Sequence, residues 1–310
     1  SELTRMPPTN PDKHDRLRIS RVVDVPLREV SGICLRRGRD RQMSLLAVGD
    51  RAAKVVWISL PESDDESLDW QTKNVGTFTD SDLAGDDPQI EAVCADGAGR
   101  VLLLQEWPPR VELVDFEMSQ TLASIELHVE GNDEIAVSWA DPAGSHGEGM
   151  VLLPGGHLLV AKEKDPAALI EFGPPGSRSQ GFTRGGALAA GDRWVVAKGK
   201  QEFVGLATWL PGRALAKACK DFSDLEIGPD GCLYLLSDQS ESIARIDDLS
   251  PGGGTAALGA VWRLENIEGK PEGLAFTAEG RAVVALDKRK TRKNLVLLNP
   301  PIATANAAQP

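Results

Sequence analysis

HGEGMVLLPGGHLLVAKEKDPAALIEF, residues 146–172, decides how the rest of the chain is read. Glu148-Gly149 opens a short apolar stretch, Met150 to Leu153, and Pro154-Gly155-Gly156 supplies turn residues. A second apolar stretch, Leu158 to Ala161, closes on Lys162-Glu163-Lys164, and after Asp165-Pro166 a third runs from Ala168 to Phe172. Strands joined by so tight a turn are antiparallel. Glu163 therefore returns beside Glu148 at one end of the hairpin. The stretch is a module, and it recurs.

Glu91-Ala92-Val93 leads through Asp96-Gly97 to Val101–Leu104 and Glu106, and Glu272-Gly273-Leu274 leads through Glu279-Gly280 to Ala282–Leu286 and Asp287. Ser223-Asp224-Leu225 leads through Pro229-Asp230-Gly231 to Leu233–Leu236 and Asp238, and Ser31-Gly32-Ile33 leads to Ser44–Val48 and Asp50. A fainter unit runs from Arg184-Gly185-Gly186 through Trp194–Ala197 to Gly199. Five of the opening and closing residues are 15 apart (91/106, 148/163, 184/199, 223/238, 272/287), and the first pair, 31/50, is 19 apart. Six repeats are the expectation. Repeats of roughly 35 to 60 residues with three or four strands each are the mark of a propeller, because one small sheet cannot cover both its faces alone.

Composition agrees. The 310 residues include 31 Gly and 20 Pro, with short apolar runs between them, which suits an all-β meander. Residues 1–16 are polar and Pro-rich and read as a disordered leader, residues 17–300 as one propeller domain and 301–310 as a flexible tail. Leu17–Val25 alternates apolar and polar residues like a half-buried strand. It precedes the first unit, whereas the last unit has only Leu295–Leu298 after Asp287. The N-terminal strand is therefore expected to join the last blade and close the ring. No apolar run is long enough to span a membrane as a helix. The expectation is a soluble protein, cytoplasmic as the sequence stands, with export by a removed signal left open. A formal net charge of -12 argues against general nucleic-acid binding.

Signatures of common chemistry are missing. No zinc-protease, phosphate-loop or complete nucleophile-elbow motif occurs; the nearest, Ala143-Gly144-Ser145-His146-Gly147, falls in a loop. The acidic stretch Pro61–Pro88 lacks the ligand spacing of a calcium loop. Cys34 and Cys94 occupy equivalent strand positions and read as core residues, and no C-x-x-C suggests zinc.

Carboxylates are the stronger signal. In a propeller the first strand of each blade lines the axis, so Ser31, Glu91, Glu148, Arg184, Ser223 and Glu272 should ring one mouth. Asp50, Glu106, Glu163, Gly199, Asp238 and Asp287 should stand beside them. Eight of these twelve are acidic. Like charges so gathered call for something cationic. A hard divalent cation such as calcium would accept these oxygens, with Glu91, Glu148 and Glu272 as ligands. Alternatively, Arg184, Lys162, Lys198 and backbone amides of adjoining blades would satisfy the acids structurally.

The motifs VSGI (30–33), IEAV (90–93), EGM (148–150) and EGLAF (272–276) are similar to those of the SdiA-regulated propeller proteins. So are the strand endings LLAVGD, LLLQE, LLVAKEKDP, LYLLSDQS and VVALD. The esterase-like phytase group looks similar in pattern. The resemblance implies a propeller with calcium at or near its axis, and it departs at Glu91-Ala92 and Ser223-Asp224, where Gly would follow.

Three functions fit. One is a metal-dependent hydrolase of a phosphate ester or lactone, with Glu163 or Asp238 as base and Arg184, or the basic run Lys288–Lys293, holding an anionic group. Another is a non-catalytic propeller binding a small anionic molecule or a protein partner. A third is a metal-free lyase or cyclase using the same acids.

Overall fold

The structure is a computed structural model describing residues 15–59, 69–76, 88–189 and 191–304. The leader to residue 14, most of the acidic stretch (61–68 and 77–87) and residues 305–310 lie outside it. After β1 (Asp15–Val23), five antiparallel meanders follow. The first is β2 (Val30–Arg37), β3 (Met43–Gly49), β4 (Ala52–Ser59) and β5 (Gln71–Asn74); the second is β6 (Ile90–Ala95), β7 (Val101–Gln105), β8 (Arg110–Val114) and β9 (Thr121–His128). Helix α1 (Glu134–Ala140) leads to β10 (Gly147–Leu153), β11 (His157–Lys162), β12 (Ala168–Gly173), a two-residue β13 (Phe182–Thr183) and the long β14 (Gly199–Pro211). Helix α2 (Arg213–Ala218) leads to β15 (Asp224–Ile227), β16 (Leu233–Ser237) and β17 (Ser242–Ile246), then the short β18 (Asp248–Leu249) and β19 (Gly254–Ala256), and β20 (Ala260–Glu265). The last unit is β21 (Lys270–Phe276), β22 (Ala282–Asp287) and β23 (Leu295–Asn299). No helix of the described residues is long and apolar enough to cross a membrane.

The arrangement is an all-β propeller. Inner strands β2, β6, β10, β15 and β21 pack each against the next, and β21 returns to β2. Five buried apolar clusters fill the five gaps between blades. The second strands have protein on both faces and are apolar almost throughout: β7 and β11 are buried at every position. Outer strands β9 and β20 alternate instead, as one-faced strands do. β1 pairs antiparallel with β23, from Arg18 opposite Asn299 to Val23 opposite Leu295, and so completes the last blade as the sequence led us to expect. The outer strands also join blades pairwise through parallel contacts, β1 with β20 and β9 with β14, which removes exposed edges.

The described residues form five blades and not the six expected. Five of the repeats are inner hairpins, but the one read at Arg184–Gly199 is not. Apart from Thr183 the described residues of 183–198 hold no strand, and the third blade takes its fourth strand from β14, which pairs with β12. Residues 182–198 are a strap across one face. Its Leu188 N–H donates to Leu152 O at 3.1 Å, and Asp192 O accepts from Gly97 N–H at 2.7 Å. Trp194 is fully buried, its indole N–H donating to His157 O at 3.0 Å. The apolar run Trp194–Ala197 is thus a plug with its anchor, whose polarity resembles that of a short strand.

Inner strands meet at backbone distance. A Cβ on Gly149 would lie 2.4 Å from Leu225 N and 2.7 Å from the Asp224 backbone. Gly149→Ala is therefore expected to force β10 from β15 and to cost about 1–3 kcal/mol, the usual range for overpacking. Urea denaturation at fixed pH measures it, and an unchanged midpoint would show that the ring relaxes freely.

Candidate functional site

The residues opening four inner strands share a local distortion. Across β2 and β3, Val30 faces Gly49 and Gly32 faces Val48, leaving Ser31 without a partner. The same one-residue shift falls at Glu91, between Ile90 and Ala92, at Glu148, between Gly147 and Gly149, and at Glu272, between Pro271 and Gly273. A bulge of this kind turns one side chain away from the regular alternation. Four blades thus aim one residue at the same mouth of the ring, and three of the four are glutamates.

The mouth is electrostatically loaded. Burial pushes the Glu91 carboxyl well above the ordinary range, and Glu106, Asp50, Glu272 and Glu163 push it further. Glu148 is raised likewise, by burial and then by Glu91, Glu106, Glu163 and Glu272. Glu272 is pushed up to about 8 by burial and by Asp287. Asp50 is pushed up to about 6 by burial and by Glu29. Asp238 and Asp287 are raised too, by burial first. Glu91 is buried, and Glu148 and Glu272 are half-buried. All eight acids expected at the mouth act on this one cluster.

The expected cations are elsewhere. Arg184 Nε donates to Asp230 O at 2.9 Å on the β15–β16 turn, which lies on the opposite face. It is not a mouth residue, because the unit it was thought to open is the strap. Lys162 is fully buried and donates to the carbonyls of Lys164 and Pro166. Burial lowers its ammonium to about 8. Lys198 sits exposed at the far end of the strap. The positive groups at the mouth are others: Lys270 Nζ stands 4.0 Å from Glu272, Lys164 Nζ 2.6 Å from Glu163 and Arg51 Nε 3.9 Å from Asp50. Lys288 Nζ is tied to Lys293 O at 2.8 Å, in the β22–β23 turn on this same face.

Among the described residues, the mouth side chains that hydrogen-bond one blade to the next belong to the non-glutamate blades. Ser31 Oγ donates to Ile90 O at 2.5 Å, joining the first blade to the second, and Asp224 accepts the Leu274 N–H at 2.6 Å, joining the fourth to the fifth. Ser223 Oγ accepts the Asp238 N–H at 3.0 Å. Among the described residues no hydrogen bond or ion pair reaches the carboxyl of Glu91 or Glu148. His146, beside them in sequence, is buried between Trp107 and Trp139, with Nδ1 3.8 Å from Glu106 and Nε2 3.1 Å from Trp139 O. Ser145 Oγ accepts the Lys164 N–H at 2.9 Å and, among the described residues, bonds to no histidine or carboxylate, so the elbow-like run is a loop cap. The four cysteines are free; burial pushes up the thiols of Cys34 and Cys94.

Oxygen donors of the mouth suit a hard cation by type, but Glu91, Glu148 and Glu272 are not drawn into a shell. Among the described residues the one set of three ligand atoms within 4.8 Å of one another is Glu126, His128 and Glu202, on the outer edge where β9 meets β14. That set is largely exposed, and Arg110 Nη2 already lies 3.8 Å from Glu126.

No protein-family model and no curated protein sequence matches the chain. Solved structures are similar to it at low identity. A calcium-binding protein, regucalcin, from Agrobacterium tumefaciens is 11% identical with a TM-score of 0.47, over 92% of this chain and 94% of that one. A streptogramin B lyase is 11% identical with a TM-score of 0.42, over 90% and 95%. A protein of unknown function from Bacteroides caccae is 16% identical with a TM-score of 0.39 over 79% of this chain, which spans only 65% of that protein's length. All three scores lie below 0.5, so the fold rests on the chain's own topology.

Proposed function

We propose that the acid-lined mouth is the functional centre and takes up a divalent cation, calcium before others, with Glu91, Glu148 and Glu272 supplying oxygens. The observation carrying this reading is the enclosure of Glu91 and Glu148 among other carboxylates, with no hydrogen bond or ion pair to either carboxyl among the described residues. The SdiA-regulated resemblance of the opening motifs points the same way.

When bound, such an ion polarises a substrate oxygen and acidifies a water. The enzymatic form of this reading is hydrolysis of a phosphate ester or lactone. Asp238, raised by burial and by Asp221, is the better placed of the two expected bases, since a base works best near the operating pH; Glu163 is held by Lys164. An anionic group of the substrate would meet Lys270 and the Lys288–Lys293 turn, in place of Arg184. The raised carboxyls favour one alternative: Glu91 and Glu148 kept neutral are proton donors for a metal-free lyase or cyclase.

Melting temperature in chelator, then with calcium, magnesium, manganese or zinc restored, separates the two. A ligand that binds only the folded state stabilises it, by about 2.7 kcal/mol at one hundred times its dissociation constant. That is about 5 °C for a domain of this size. We expect a saturable rise with calcium that is absent in Glu148→Gln. If no ion moves the transition, the metal reading falls and the neutral-acid reading stands.

A further inference from the structure

The face opposite the acids holds a cavity of 1150 Å³, above the usual range for small-molecule sites of about 300–1,000 Å³. Its throat is built by the far ends of the inner strands. Leu35, Cys94, Met150, Ile227 and Phe276 line it, one from each blade. The strap covers part of the opening through Ala187, Leu188 and Ala189. Most of the cavity lining is apolar.

The rim has the opposite sign to the other mouth. Arg37 ends β2, Arg41 lies in the β2–β3 turn, and Arg21 and Arg281 come from β1 and the β21–β22 turn. Glu279 faces Arg281. Arg37 and Arg41 are exposed and have no acidic partner among the described residues. Two further observations point inward. Trp70 lines the cavity, and its buried indole N–H has no acceptor among the described residues, an arrangement that costs stability unless a ligand supplies one. Glu226, deeper in, has its carboxyl pushed up to about 8 by burial. Near neutral pH it therefore offers a hydrogen-bond donor in place of a repelling charge.

We infer that this cavity is a second site, separate from the acid-lined mouth, for an amphipathic organic anion: an apolar body seated in the five-blade throat and an oxyanion met by Arg37, Arg41 and the Trp70 indole N–H. The molecule carries formal net charge -12, so arginines concentrated at one opening are a local reversal of its overall field. The acid-lined mouth would repel the same ligand.

The test is titration of the full chain with 8-anilinonaphthalene-1-sulfonate, followed by dye fluorescence and by energy transfer from tryptophan, beside the uncharged N-phenyl-1-naphthylamine. Saturable binding of the sulfonate is expected, with less energy transfer in Trp70→Phe. Arg37→Glu/Arg41→Glu should weaken it by about tenfold or more, the effect of losing charge-assisted contacts. Both positions are exposed, and an unchanged melting temperature shows that the variant is folded. Arg213→Glu, an exposed charge on α2 at the other face, should leave affinity within twofold. Leu188→Trp, which fills the throat beneath the strap, should weaken the sulfonate and the uncharged dye alike. The inference is overturned if binding is not saturable, if Arg213→Glu weakens it as much as the rim variant, or if the uncharged dye binds as tightly as the sulfonate.

Discussion

Stripped of divalent cations, the protein should lose stability steadily between pH 5 and pH 8, and the loss should be smaller in Glu91→Gln/Glu148→Gln. The carboxyls of Glu91, Glu148 and Glu272 are raised in the folded state above their ordinary value of 4.5. A raised acid binds its proton more tightly folded than unfolded, so its contribution is fully present below 4.5 and is lost as pH climbs through the folded value. For Glu272 that window runs from 4.5 to about 8. At about 1.4 kcal/mol per unit the shift at Glu272 alone corresponds to about 5 kcal/mol. Its side chain is 26% exposed, and screening by water reduces this to about 2–3 kcal/mol. That alone is about 4–6 °C in melting temperature, and Glu91 and Glu148 act in the same direction. Lys162, lowered to about 8 by burial, acts with the opposite sign above that pH, which is why the scan stops there. Calcium should flatten the profile, and the double variant should do so in part, since its Glu272 still titrates. A flat profile in the chelated wild type would show that the mouth acids are not in conflict.

The inner hairpins were legible because a short code marks them. A small or acidic residue, a Gly or Ala and an apolar pair open the strand, and an acid closes the next one. Closing the ring with the N-terminal strand was legible for a related reason: β1 alternates and had no blade of its own. The blade count was not. Arg184-Gly185-Gly186 and the apolar run Trp194–Ala197 satisfy the spacing, but the Trp194 side chain is buried against His157 and Phe203, with no partner strand beside it. The true fourth strand of that blade, β14, carries GKQEFVGLATWLP, half exposed and without clean alternation, because it pairs with β12 on one side and with β9 of the neighbouring blade on the other. Such pairing depends on residues more than seventy positions away, which local pattern does not encode. Misplacing Arg184 followed from the count. The bulges at Ser31, Glu91, Glu148 and Glu272 also escaped, though the Gly after three of them was a trace: the residue following a bulge approaches the next blade. Lys270 and Glu29 belong to the mouth without any repeat to announce them.

Removing Asp96 should have the other large effect, because this carboxylate fixes the Trp194 end of the strap to the ring. Its side chain is fully buried, on the β6–β7 turn. One oxygen accepts the N–H groups of Ala98 and Arg100, each at 3.0 Å; the other accepts Arg100 Nε at 2.8 Å and the Trp194 N–H at 3.1 Å. Arg100 in turn donates to Trp194 O. Asp96→Ala leaves the buried guanidinium uncompensated and frees the Trp194 backbone, at an expected cost of about 3–5 kcal/mol, or about 6–10 °C in melting temperature. The loss should be local before it is global. Backbone amides of residues 184–198 should exchange with solvent much faster, and Trp194 emission should shift to the red, while β7 and β11 stay protected. Replacing both partners, Asp96→Leu/Arg100→Met, should recover most of the stability, since no buried charge is then stranded, yet should leave the strap amides exposed, since neither new side chain can accept the Trp194 N–H. If Asp96→Ala lowers the transition by less than about 2 °C, or if exchange rises evenly over all five blades, the strap is held by the packing of Trp194 alone and the buried pair contributes only locally to its turn.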